Sequence, residues 1–126
     1  MAVISDKRIK SLARIIHEAN RAFCSEIGDD SQKPWTEAPT YNHQSAMVGV
    51  RAIIDNPELT PEDCHNAWMQ AKLDDGWVYG EKKCYDQKTH PSLVPYDKLS
   101  SSEKYKDWLV IAIVRSYLDF LNERKK

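Results

Sequence analysis

Cysteine is scarce and scattered in this chain. Cys24, Cys64 and Cys84 are odd in number and include no CxxC pair, so neither a disulfide framework nor a zinc knuckle is encoded. Long apolar runs are missing too. The longest, Trp108 to Val114, falls far short of the roughly 20 residues that cross a bilayer. The opening residues, MAVISDKRIK, lack the apolar core of a signal peptide. Nor is there a surplus of either charge: 18 Lys and Arg face 19 Asp and Glu, for a formal net charge of -1. That balance argues against wrapping nucleic acid by charge alone, yet it leaves room for a small basic pocket. No internal repeat or low-complexity segment is evident. These absences describe a cytoplasmic protein of a reducing compartment, with neither a membrane nor nucleic acid as partner.

Chemistry-bearing motifs are equally sparse. His17-Glu18 opens like the metalloprotease motif HExxH, but position 21 is Arg21 and the match fails. Glu18 then reads as a helix-surface partner for Arg14 or Arg21. Asp29-Asp30 and Asp74-Asp75-Gly76 lack the alternating oxygen ligands of a calcium loop. Cys64 and His65 are adjacent on a helix, point to different faces and make a poor metal site. Neither a GxSxG elbow nor a P-loop occurs, and no Cys or Ser has a base at readable spacing. The expectation is no catalytic residue, no metal and no cofactor.

What the chain does have is a core. Apolar residues make up 41% and charged residues 29% of its 126 positions, a composition that folds. The length suits one compact domain, and a chain this short gains from self-association. Two parts are discernible within it, without a flexible linker. Residues 1–57 read as a helical arm. Ile9, Leu12, Ala13, Ile16, Ala19, Phe23 and Ile27 recur at spacings of three and four, which marks one buried helical face. Gly28 and the polar string after it stop that helix. A loop through Pro34, Trp35 and Pro39 leads to a second helix, about Tyr41 to Asn56, burying Met47, Val50, Ile53 and Ile54 and ending before Pro57.

Residues 58–126 open on a strong helix start, Thr60-Pro61-Glu62-Asp63, with a capping threonine, a proline in the first turn and two acids at the positive end of the helix dipole. Gly76 breaks that helix. Trp77 to Gly80 alternates as a short strand does, with Leu93-Val94 as its expected partner. Ser100 to Glu103 offers another cap before a last helix, about Ser102 to Asn122. Its run Trp108 to Val114 is apolar on every face, so the helix either crosses the middle of the domain or turns one face to another subunit. The fold class expected is mainly α, four main helices with a few short antiparallel strands.

From Pro61 onward the residues carry a resemblance. His65 and Trp68 stand as H-x-x-W, followed by Lys72, Gly76-Trp77, Tyr79-Gly80, Asp86, Lys88, His90-Pro91, Leu93-Val94-Pro95-Tyr96, Leu99 and Glu103-Lys104. In order and spacing this resembles one whole repeat of the kind first described in ryanodine receptors. The arm before it, with HEAN at 17–20 and GDDSQKPW at 28–35, is similar to the amino-terminal portion of stand-alone bacterial and phage members. The resemblance implies packed helices with a few short strands, in a peripheral domain remote from any channel pore. It further implies a site in which aromatic residues of H-x-x-W helices hold an adenine nucleotide between paired repeats. Here those positions are His65 and Trp68.

The chemistry of these residues agrees. A purine offers a flat π-face, and a tryptophan on a helix is a rigid stacking surface worth about 1–3 kcal/mol per base. His65 lies one turn before Trp68 and Lys72 one turn after it, so all three can project to one side. Lysine supplies charge for phosphate and histidine a donor or acceptor. One repeat stands here where the receptors have two, which suggests a homodimer or higher homo-oligomer with Trp68 of each chain turned towards a shared ligand.

Each candidate also has an ordinary reading. A tryptophan in a small helical domain usually belongs to the core, and only the resemblance points Trp68 to a ligand. Trp77 and Tyr79 serve more simply as packing of a strand on helices. His90, before Pro91, sits where a histidine often just bonds backbone. Tyr96 reads as a packing residue, and Trp35 as either a lid over a pocket or an anchor for its loop. The expected function is a non-catalytic binding module for a small nucleotide-derived ligand, acting as sensor or sequestering sponge. The alternatives are a protein-interaction module built on the aromatics and last helix, and a nucleotide hydrolase with His65 or His90 as base.

Overall fold

A computed structural model describes residues 4–124. Among these residues there are four helices: α1 (Asp6–Glu26), α2 (Thr40–Asp55), α3 (Pro61–Asp74) and α4 (Ser101–Arg124). Two strands of two residues each, β1 (Val78–Tyr79) and β2 (Thr89–His90), lie between α3 and α4, and single 3-10 turns occur at Trp35–Glu37 and Tyr96–Lys98. The protein is therefore mainly α, with short strands. None of its described helices is long and apolar enough to cross a membrane.

The contacts gather into two units. Leu59–Trp108 is one, and the described residues to Glu58 and from Leu109 form the other. α4 is thus shared, its first turns in one unit and the remainder in the other.

In the unit of α1, α2 and the end of α4, the spacing of apolar residues decides the packing. Ile9, Leu12, Ala13 and Ile16 of α1 are buried, as are Val50 and Ile53 of α2 and Ile111 and Val114 of α4. Cys24 is buried as well, whereas Ile27, expected on the buried face, is 49% exposed because the helix has already ended at Glu26. Between α1 and α2 the loop is pinned from both sides. Nε2 of His17 donates to the Lys33 carbonyl at 2.6 Å, a carboxylate oxygen of Glu18 accepts from the Trp35 N–H at 3.3 Å, and Nε2 of His43 donates to the Trp35 carbonyl at 2.7 Å. Trp35 itself is buried, its ring stacked 3.7 Å from that of His43 and edge-on to His17. Glu18 also takes Arg21 in a two-pronged pair at 3.1 and 2.9 Å, which holds its carboxyl below the ordinary range.

The strands differ from expectation in partner and in direction. β1 pairs with Thr89–His90, not with Leu93-Val94, and the pairing is parallel, Val78 opposite Thr89 and Tyr79 opposite His90. The cause is a double reversal. After Tyr79 the chain turns back, and then Cys84 and Thr89 exchange both backbone hydrogen bonds at 3.0 Å as an isolated antiparallel bridge. Two reversals restore the original direction. The second turn is completed by Lys88 at φ 54, the left-handed region that non-glycine residues rarely occupy.

Candidate functional site

The unit Leu59–Trp108 gathers most of the candidate residues, and α3 sets their spacing. Its start is fixed by a reciprocal cap: Oγ1 of Thr60 accepts from the Asp63 N–H at 3.1 Å, and the Asp63 carboxylate accepts from the Thr60 N–H at 3.0 Å. Its end is fixed by Gly76. At φ 89 this glycine closes a left-handed turn in which the Gly76 N–H donates to Leu73 at 3.0 Å and the Trp77 N–H to Lys72 at 2.9 Å. That second bond returns residue 77 to residue 72. Accordingly the Lys72 ammonium lies over the Trp77 ring, 4.5 Å from its centroid.

Around this helix end the rings form a cluster. His65 is buried at 3% exposure and donates from Nε2 to the Val94 carbonyl at 2.7 Å. Its ring lies 5.6 Å from that of Trp68 and 6.1 Å from that of Tyr96. Trp68, half-buried, meets His90 edge-on at 5.0 Å. His90 is in turn 6.4 Å from the buried Trp77, which meets Tyr85 edge-on at 5.8 Å. Nδ1 of His90 accepts from the Ser92 N–H at 3.0 Å, so the neutral ring carries its proton on Nε2.

Charge is distributed unevenly here. Lys83 lies over Tyr85 at 5.0 Å and Lys104 over Tyr96 at 5.4 Å. Glu103 is engaged twice, accepting from Ser92 at 3.2 Å and from Lys106 at 3.0 Å. Burial, reinforced by the charges of Lys83 and Lys72, pushes the His90 imidazole down to about 4. The Lys72 ammonium is lowered by burial first and then by Lys83. Burial pushes the Asp107 carboxyl up to about 6, with His65 opposing the shift and Glu103 adding to it. The imidazole of His90 is therefore neutral at pH 7 in a positive local field.

Of the residues singled out by sequence, the structure brings His65, Trp68, Lys72, Trp77 and His90 together. Tyr79 pairs with His90 through the strand backbone, but its side chain is 56% exposed. Trp35 belongs to the other unit, where it anchors its loop. Sequence reasoning missed Tyr85, Lys83, Lys106 and Asp107. Tyr85 and Lys83 lie in a polar stretch without periodicity, and the α4 residues are far along the chain, so no local signal marked them. Among the described residues no group of three or more His, Cys, Asp or Glu is placed to hold a metal ion.

Comparison with known families matches the chain to the RyR domain. A model of the RyR domain covers residues 51–121, more than half of the chain, and takes in every ring and charge of this cluster.

Proposed function

Since the chain belongs to the RyR domain family, we propose that its ring cluster binds a small, flat, nucleotide-type ligand and that the protein acts by binding rather than by catalysis. The observation that carries this reading is the state of Trp68. It is half-buried, braced by the rings of His65 and His90, and so offers a fixed aromatic surface without being sealed in the core. A base stacked on it gains about 1–3 kcal/mol. The ammonium groups near His90 favour an anionic ligand, and Nε2–H of His90 is a donor for a ring nitrogen or carbonyl of the base.

The histidines speak for binding over hydrolysis. His65 spends Nε2 on the Val94 carbonyl, and His90 spends Nδ1 on the Ser92 N–H. Each is oriented by backbone as a fixed wall of the site. A protein that only binds suits a sensor or a sponge that lowers free ligand, and pairing of two chains across a shared ligand would bring Trp68 of each to one molecule. A second reading, assembly with a protein partner, is favoured by Tyr105 and Trp108 on α4, 44% and 53% exposed.

The test is a thermal-shift screen of adenine nucleotides and cyclic derivatives on wild type beside Trp68→Leu. Ligand at a hundredfold excess over its dissociation constant adds about 2.7 kcal/mol of stability. The expected result is a rise in Tm for wild type that a folded Trp68→Leu loses, with the ligand recovered unchanged. No rise with any nucleotide, together with loss of self-association in Trp108→Lys, would move the conclusion to assembly. Conversion of the ligand would move it to hydrolysis.

A further inference from the structure

Lys88 and Lys106 have carboxylate partners. The Lys88 ammonium donates to the Asp75 carbonyl at 2.8 Å and lies 3.7 Å from its carboxylate, and Lys106 pairs with Glu103 at 3.0 Å. Lys72 and Lys83 differ. Among the described residues neither forms an ion pair, and both ammonium groups are held over aromatic faces, those of Trp77 and Tyr85. These two rings meet each other edge-on at 5.8 Å with their planes 85° apart, so the two ammonium groups sit on the faces of one contacting aromatic pair.

Two like charges are costly to hold close together, more so where water is partly excluded. They are close enough to matter. After burial, Lys83 is the strongest influence lowering the Lys72 ammonium, and both bear on His90. The fold keeps them there by unrelated means: Lys72 through the closed turn at the end of α3, and Lys83 through the loop that the Cys84–Thr89 bridge ties down. Asp75 offsets part of the charge on Lys72 from a distance, but neither ammonium has a carboxylate in contact, and an arrangement that gathers such charge beside aromatic faces is completed by an anion.

We propose that Lys72 and Lys83, held over the contacting rings of Trp77 and Tyr85, form an anion subsite that takes a phosphate or diphosphate group. It rests on the reading of Trp68 only in so far as that phosphate belongs to the molecule stacked there; the subsite itself binds the inorganic ion. Lys83 is then the residue that sets preference for a phosphorylated ligand over a bare nucleoside. Lys72 contributes charge from the helix, and Lys83 from a loop outside the H-x-x-W helix.

The test uses the full chain labelled with 15N, titrated separately with inorganic phosphate, with pyrophosphate and with adenosine, while the Trp indole N–H signals and the amides of residues 81–88 are followed. Saturable shifts at Trp77 and in the loop with pyrophosphate are expected, weaker with phosphate. Lys83→Gln should weaken pyrophosphate binding about tenfold, the loss of one charge-assisted contact, and Lys72→Gln should do likewise. Lys88→Gln, which removes a lysine already paired, should change it little. Shifts that never saturate, or that survive Lys83→Gln and Lys72→Gln unchanged, overturn the subsite. Adenosine separates the two readings. If it moves the Trp68 signal while pyrophosphate moves nothing, the subsite alone falls; if pyrophosphate binds and no nucleoside does, the stacking reading alone falls.

Discussion

Replacing Asp107 by asparagine should make stability rise more steeply with pH in weakly acidic solution, and replacing His90 by glutamine should make it fall. His90 titrates at about 4 in the folded chain against an ordinary 6.5, so between those values the unfolded chain holds the proton and stability grows as pH rises. Asp107 titrates at about 6 against an ordinary 3.8. Across that interval the folded chain holds the proton, so stability shrinks as pH rises. The windows overlap from about pH 4 to 6. At pH 5 the two groups differ between states by about 0.9 proton each, with opposite sign, which is about 1.2 kcal/mol per pH unit apiece before screening. Both side chains are only partly buried, so roughly half of that is the expected contribution. In wild type the two nearly cancel. Lys83, Lys72, Glu103 and Lys106 act on His90, and His65, Glu103 and Lys106 on Asp107; all are retained in both variants. Urea unfolding at several pH values within the window reads the slopes directly. Curves of the three proteins that run parallel would refute the opposing shifts.

Two further substitutions probe the framework of the site. A Cβ at Gly80 would lie 2.6 Å from Cβ of Thr89, too close to tolerate, and the Gly80 N–H bond to His90 is already long at 3.4 Å. Gly80→Ala should therefore cost about 2 kcal/mol by overpacking and loss of that bond, with partial recovery in the double variant Gly80→Ala/Thr89→Gly; an unchanged urea midpoint in the single variant would contradict the close approach. Thr60→Ala should cost about 1 kcal/mol by removing the cap of α3, while Thr60→Ser retains most of the stability, and equal losses in the two would show that the hydroxyl is not what matters.

Much of this architecture was legible because helices announce themselves locally. The three-and-four spacing from Ile9 to Ile16, the cap at Thr60 and the stop at Gly76 each depend on neighbours within one turn or so. The strand pair was not legible. Its direction hangs on the Cys84–Thr89 bridge and on Lys88 adopting a left-handed backbone, and nothing in the polar run from Glu81 to Thr89 encodes either in its composition. In the candidate site, His65, Trp68 and Lys72 could be placed on one side of a helix by counting. What surrounds them could not, since Tyr85 and Lys83 arrive by loop closure and Glu103, Lys106 and Asp107 by the packing of α4. Trp35 shows an intermediate case: its place between prolines allowed either a lid or a loop anchor, and the structure takes the second, its ring packed on two histidines of its own unit.

The closed turn from Lys72 to Trp77 constrains how the chain can vary in length. Its two hydrogen bonds count residues, six from the first carbonyl to the last N–H. One residue added inside that turn would rotate the lysine away from the tryptophan by about 100°, the angular step of an α-helix. A deletion would do the same in the other sense. The loop from Glu81 to Lys83 is held differently, by the Thr89 hydroxyl donating to the Lys82 carbonyl at 2.8 Å and by the Cys84–Thr89 bridge after it, so its length is tied to β2 and not to the turn that ends α3. Length in this part of the molecule is thus set twice over, by the closed turn at the helix end and by Thr89 in the loop that follows.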